Sequence, residues 1–182
     1  MEKIILHPEI FLIKNFLSEE MCRHFIQKGE DVSFEEAKVN VDGRQVLIKG
    51  VRNNQRILFT DDDLALKLWE QIQDYVPNTF GLYKASGLNE MFRIYKYEEN
   101  QRFKMHRDGS YERNEKECSF LSFLIYLNDG FIGGETYFES GVTVEPKIGD
   151  ALIFYHPLRH EGKTIVSGIK YVLRTDIMYT KE

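Results

Sequence analysis

Cysteine, proline and tryptophan are scarce in this 182-residue chain, with two, four and one respectively. Cys22 and Cys118 lie far apart and form no CxxC pair. Without a secretion signal, that usage favours reduced, partly buried thiols over a disulfide. No long apolar run occurs either. The run that follows Met1-Glu2-Lys3 is broken by His7-Pro8-Glu9, too soon for a signal peptide or a membrane span. A cytoplasmic protein with no membrane partner is expected. Basic charge is also short: 24 Lys and Arg against 29 Asp and Glu give a formal net charge of -5. That balance repels a phosphate backbone, and Arg52 with Arg56 offers at most a local patch, so no nucleic-acid partner is expected. Repeats, low-complexity tracts and Pro/Ser-rich linkers are absent, and residues 1–182 read as one domain.

Aromatic residues are plentiful, with 10 Tyr and 13 Phe, enough for a packed core without disulfide or metal staples. Ser18-Glu19-Glu20 reads as a helix start. Met21, Cys22, Phe25 and Ile26 form one apolar face, with Gly29 as the stop. A second helix is expected from Asp61-Asp62-Asp63, carrying Leu64, Leu68, Ile72 and Val76 and ending at Pro77. Trp69 should pack that helix on a sheet. From about residue 91 the texture turns to short strands at 92–97, 120–127, 135–138, 142–145, 151–155 and 170–179. Asn128-Asp129-Gly130, Gly133-Gly134, Pro146 to Gly149, and Gly168 punctuate them. The expected class is α+β, mainly β: a sandwich or barrel over about 91–180, buttressed by a helical part over about 1–90.

His106-Arg107-Asp108 carries the chemistry. In an extended segment, positions i and i+2 share a face, so His106 and Asp108 can meet one metal while Arg107 points away. His160 offers a third donor. Two imidazoles and one carboxylate on one side of a metal leave three positions open, the arrangement of non-haem Fe(II) oxygenases. Alone, a His-x-Asp triplet is a weak signal, more often a surface pair than a site.

Its surroundings strengthen it. Tyr97-Glu98-Glu99-Asn100-Gln101-Arg102-Phe103 leads into the triplet. Leu124 to Asp129, Gly133-Gly134-Glu135-Thr136-Tyr137-Phe138, Val144-Glu145-Pro146 and Gly149 to Phe154 follow in order. His160-Glu161-Gly162 and Gly168-Ile169-Lys170 close the series. Together these pieces, over roughly half the chain, resemble the catalytic core of the prolyl 4-hydroxylase-like 2-oxoglutarate/Fe(II) dioxygenases.

The resemblance implies a double-stranded β-helix (jelly-roll, cupin-like) with His106, Asp108 and His160 as iron ligands and catalytic centre. It implies Fe(II), 2-oxoglutarate and O2 as cofactors, with ascorbate a candidate reductant. Lys170 matches the family's usual anchor for the far carboxylate of 2-oxoglutarate. Arg174, on the same strand face, can grip a carboxylate with two parallel hydrogen bonds. The two are expected to share the task. Phe103 departs from the family, which usually has a tyrosine three residues before the first histidine. A compensating donor is therefore expected, Arg174 or Tyr126, and Tyr97 and Thr136 are further cosubstrate-binding candidates. His156 competes with His160, but Pro157 argues against a helical His pair, so His156 reads as a support or packing residue.

Arg93, Tyr95 and Tyr97 share a strand face that can line a substrate pocket or pack in the core. The polar stretch from Arg44 to Arg56 reads as solvated surface, although relatives place substrate-covering loops there. The expected function is hydroxylation of an aliphatic C–H in a prolyl or other peptide residue, with a free amino acid or small metabolite as the alternative. A non-catalytic jelly-roll binding module would lack a ligand, and none is missing. A zinc hydrolase on the same ligands would need a general base instead of a dicarboxylate anchor. A nucleobase oxygenase conflicts with the acidic balance.

Overall fold

A computed structural model describes residues 1–41 and 43–181. Numbering only the elements that position the site, the order begins with β1 Glu2–His7, β2 Ile10–Lys14, α1 Glu19–Asp31, β3 Gln55–Thr60 and α2 Asp62–Ile72. It continues with β4 Tyr83–Leu88, β5 Met91–Tyr97, β6 Phe103–His106, β7 Glu117–Tyr126 and β8 Thr136–Phe138. Last come β9 Thr143–Val144, β10 Ala151–Tyr155, β11 His160–Gly162 and β12 Lys170–Lys181.

Both helices start where their caps predict. Ser18 Oγ accepts from the Met21 amide at 3.2 Å, and Asp61 Oδ1 from the Leu64 amide at 2.9 Å. Each buries one stripe: Cys22, Phe25 and Gly29 in α1, and Ala65, Leu68 and Ile72 in α2. Trp69 packs against the same core. Gly29 is not the stop of α1, which runs on to Asp31. Its role is close approach: a Cβ there would stand 2.8 Å from Phe34 Cζ.

The first ninety residues are less helical than expected, since they also supply strands to the major sheet. β1 and β2 form an antiparallel hairpin at one edge, with His7 to Ile10 at the turn. The proline that breaks the apolar run sits in the hairpin turn. β3 pairs with β5, and β4 with β12. The path across the sheet runs β1-β2-β10-β7-β12-β5-β3, all neighbours antiparallel.

This sheet is buried on both faces, and its alternation divides the core in two. Phe11, Ile13, Phe92, Ile94, Ala151 and Ile153 face the helices. Ile10, Leu12, Tyr95, Tyr97, Leu152 and Phe154 face the other way. Strands covered on both faces read as continuous apolar runs, as Ile10 to Ile13 and Ala151 to Phe154 do. The second face is roofed by a smaller sheet in the order β6-β11-β8-β9, whose Phe103, Phe138 and Val144 complete that core. Two facing antiparallel sheets make the double-stranded β-helix, with a pocket between them. None of the described helices is long and apolar enough to cross a membrane.

Two local irregularities matter below. In β7, Ser119 pairs with Met178 and Leu121 with Ile177, so Phe120 is an inserted residue, a β-bulge. At the start of β10, Gly149 has φ +80°, and its carbonyl accepts from the Phe16 and Leu17 amides at 2.9 and 3.0 Å. A Cβ there would stand 2.2 Å from the Leu17 carbonyl oxygen. We therefore expect Gly149→Ala to lose about 2 kcal/mol or more of stability, from left-handed strain and the backbone clash together. Urea denaturation would measure this, and an unchanged midpoint would contradict it.

Candidate metal centre

The site grows from one cross-strand pair. β6 and β11 run antiparallel with His106 opposite His160, and their ring centroids lie 4.2 Å apart. Asp108 follows two residues past His106, just beyond the strand end, where its amide donates to the His156 carbonyl at 3.1 Å. The i, i+2 spacing therefore brings both side chains to one place. Asp108 Oδ1 lies 3.6 Å from His106 Nε2, and Oδ2 lies 3.7 Å from His160 Nε2. One donor atom from each of the three residues falls within 4.8 Å of the others.

The far ring nitrogens fix which atoms face inward. His106 Nδ1 lies 2.8 Å from the Lys104 carbonyl, and His160 Nδ1 lies 3.0 Å from the Leu158 carbonyl. A carbonyl only accepts, so each Nδ1 carries the hydrogen and each Nε2 lone pair is left for a metal. Burial holds the His160 imidazole down at about 4, the Asp108 charge opposing, so it is a neutral ligand at physiological pH. Burial alone would push the Asp108 carboxyl up. The Arg174 guanidinium, helped by His160 and His106, outweighs that and holds it well below the usual carboxylate range. An ionised carboxylate with two imidazole lone pairs is a hard-to-borderline donor set that suits a divalent iron centre with open positions.

Arg107 turns away, its Nε donating to the Pro157 carbonyl at 3.0 Å. Tyr95, Tyr97, Leu124 and Val172 line the pocket beside the triad, with Lys170 and Arg174. Lys170 is only 4 % exposed, and its ammonium donates to the Gly134 carbonyl at 2.5 Å. The Tyr126 and Tyr97 ring centroids lie 5.4 and 5.5 Å from Nζ. Burial pulls the amine down to about 7. Tyr126 is fully buried behind the pocket wall, its hydroxyl 2.7 Å from the Thr136 hydroxyl, which does line the pocket.

Arg174, expected to share the anchoring of a carboxylate, lines the same pocket and meets two of the chain's own acids. Its NH2 group lies 3.2 Å from Asp108 Oδ2 and 3.0 Å from Asp176 Oδ1. Both contacts are made through Nη2, while the buried Nε has no hydrogen-bond partner among the described residues. Of the three residues on that strand face, Tyr95 and Tyr97 line the pocket, and Arg93 pairs with Asp176 at 3.4 Å.

Sequence reasoning missed Arg52, which was assigned to solvated surface. It is 4 % exposed, with its guanidinium carbon 4.4 Å from the Tyr95 ring centroid and 4.3 Å from that of Phe103. Nε donates to Asn54 Oδ1 at 2.7 Å. Phe103 in turn stacks on His106, centroids 3.4 Å apart and planes 14° from parallel. Burial would raise the Tyr95 phenol, but Arg52, Arg174 and Arg93 together bring it down to about 7. Ser119 and Ser122 were also missed. Both flank His156, which is buried as a support residue and not a donor to the triad.

Comparison with known proteins agrees with this geometry. The 2OG-Fe(II) oxygenase superfamily model matches residues 92–175, the segment that holds the triad, Lys170 and Arg174. A prolyl 4-hydroxylase homologue of Acanthamoeba polyphaga mimivirus is 26% identical over 182 residues, covering 89% of this chain and 71% of its own length. The chain spans 54% to 61% of the length of the similar Arabidopsis thaliana prolyl 4-hydroxylases. Among solved structures, a prolyl hydroxylase from Trichoplax adhaerens, in complex with a hypoxia inducible factor peptide fragment, superposes with a TM-score of 0.74. It shares 17% identity and covers 93% of this chain and 83% of its own. A viral collagen prolyl hydroxylase from Paramecium Bursaria Chlorella virus-1, as a 2OG complex, gives 0.64 at 19% identity, covering 94% and 96%. The structures share the fold, and the sequence matches share the segment in which the donor set lies. Residues 92–175 thus match the 2OG-Fe(II) oxygenase superfamily model, and the chain is similar to prolyl 4-hydroxylases in sequence and to prolyl hydroxylases in fold.

Proposed function

We propose that this chain is an Fe(II)- and 2-oxoglutarate-dependent hydroxylase acting on a prolyl residue of a peptide or protein. One observation carries the cosubstrate half. A buried lysine has a carbonyl for a partner and lines the same pocket as the histidine–carboxylate cluster. Bringing in the far carboxylate of 2-oxoglutarate would restore the charge that burial strips from Lys170. The peptide half rests on relatives: the Trichoplax enzyme is seen with a peptide fragment, and the viral enzyme is a collagen prolyl hydroxylase. A reducing, cytoplasmic setting belongs to the same reading, supported by two free cysteines, one buried in the core.

When bound, iron and 2-oxoglutarate supply the reaction itself: one oxygen atom of O2 converts substrate C–H to C–OH, and the other leaves in succinate as CO2 is released. His106, Asp108 and His160 would hold the metal, each through one donor atom. Lys170 fixes the cosubstrate at its far end. Leu124 and Val172, with the Tyr97 ring, keep water from the space between. Arg174 keeps Asp108 ionised and aimed.

Lys170 gives a test with two opposite signs. Its folded pKa, about 7, lies below the unfolded value near 10.5, so the folded state holds that proton more weakly. The resulting penalty is full below about pH 7 and disappears as pH rises through the window to about 10.5. Lys170→Met removes it. The cosubstrate-free variant should be more stable than the parent by about 1–4 kcal/mol at pH 7, with the gap closing towards pH 10. The same variant should bind 2-oxoglutarate at least about tenfold more weakly, since a charge-assisted hydrogen bond is lost. A variant that is less stable yet binds normally would remove Lys170 from the site.

The metal reading is tested by adding Fe(II) and 2-oxoglutarate without oxygen. A weak visible charge-transfer band should form in the wild type and be missing from His106→Ala. Proline-containing peptides should then stimulate succinate release in air. Stimulation by free amino acids with none by peptides would overturn the substrate, and no band in the wild type would overturn the cofactors.

A further inference from the structure

Ser119, Ser122 and His156 lie outside the triad, yet they are joined to it by hydrogen bonds whose direction can be worked out. Ser119 Oγ accepts from the Tyr111 amide at 2.8 Å and lies 2.8 Å from His156 Nε2. Ser122 Oγ lies 2.9 Å from His156 Nδ1 and donates to Asp108 Oδ2 at 2.5 Å. Ser122 has one hydrogen, and the ionised carboxylate can only accept, so that hydrogen goes to Asp108. The Ser122 oxygen must then accept from His156, which places the ring hydrogen on Nδ1. His156 Nε2 is left as an acceptor, and Ser119 donates to it. Ser122 Oγ also accepts from Arg174 Nη2 at 3.4 Å on its second lone pair. The chain of hydrogens still runs in a single direction, from Ser119 to Asp108.

The bulge makes this possible. Positions three apart on a regular strand face opposite ways, so Ser119 and Ser122 would not share a side. The inserted Phe120 resets the alternation and turns both hydroxyls onto His156. All three residues are at most 3 % exposed, so no water competes. The backbone reinforces the link: the His156 carbonyl accepts from the Asp108 amide, and the His156 amide donates to the Phe120 carbonyl at 3.0 Å.

We propose that Ser122, oriented by His156, is a positioning residue that occupies Asp108 Oδ2 and thereby presents Oδ1 alone to the metal. Arg174 approaches the same Oδ2 at 3.2 Å, so that oxygen is saturated from the protein side. The carboxylate then binds through one oxygen, and a position that a two-oxygen mode would fill stays open for cosubstrate or O2. The proposal rests on the metal reading above.

The test compares Ser122→Thr with Ser122→Val, which crowd the strand equally and differ by the hydroxyl. Co(II), a stable stand-in for Fe(II), is titrated into each without oxygen, following its visible d–d bands. Ser122→Thr should match the wild type. Ser122→Val should bind Co(II) about 10–100-fold more weakly, the usual cost of losing a group that orients a metal ligand, and its bands should change in intensity. His156→Phe, which keeps the packing and removes both ring nitrogens, should behave like Ser122→Val. Equal affinity and equal spectra for Ser122→Thr and Ser122→Val would overturn the positioning role alone. A wild type that binds no Co(II) would overturn the metal centre with it.

Discussion

The register that places His106 opposite His160 across the small sheet controls every other distance in the site. Side chains alternate along a strand, so a slip of one residue in β6 would carry His106 to the outer face and leave Asp108 with one imidazole. Backbone contacts on the far side of β6 hold it. Arg52 forms a β-bridge with Phe103, and the Lys104 amide donates to the Val51 carbonyl at 2.9 Å. Stacked rings hold it from within: Phe103 lies on His106, while Phe154 and Phe138 flank His160 with centroids 4.5 and 5.7 Å away. The metal centre is therefore braced by apolar packing before any metal arrives.

A single strand then distributes the charge. Lys170, Val172, Arg174 and Asp176 fall on alternate positions of β12 and share the face turned to the pocket side. The Arg174 charge is matched by Asp108 and Asp176, although its buried Nε has no hydrogen-bond partner among the described residues. Among the described residues Lys170 has no ion pair, only the more distant charge of Glu135, and stands among tyrosine rings. Buried charge without a counter-charge costs stability, and proteins keep it where a ligand supplies the missing sign. The two cations, four residues apart, thus meet different surroundings: Arg174 Nη2 meets the protein's own acids, whereas the Lys170 ammonium has a carbonyl for a partner.

The parts of the site legible in the sequence are those carried by local spacing. His106 and Asp108 lie two apart beside a strand end, Lys170 opens the last strand, and the caps at Ser18 and Asp61 need only three residues each. What could not be read depends on pairing between distant segments. Arg52 is surface-like among Arg44 to Arg56, and its burial follows from the bridge to Phe103, 51 positions on. Ser119 and Ser122 look like opposite faces of a strand until the bulge is seen. Strands β1 to β4 were missed because the first two are a short apolar run split by Pro8, and the other two gain their partners only from β5 and β12. Gly29 read as a helix stop because glycine usually is one; close contact with Phe34 is a tertiary fact.

Phe103 shows how such a site can change one residue and stay whole. A phenylalanine there gives up a hydroxyl, but its ring lies between His106 on one side and the Arg52 guanidinium on another. Arg52, with Arg174 and Arg93, brings the Tyr95 phenol down to about 7 against the effect of burial. The faces of Tyr95 and Phe103 cover the Arg52 guanidinium, which sits 4 % exposed between them. The ring at residue 103 thus packs against a cation from the N-terminal half of the chain and steadies His106.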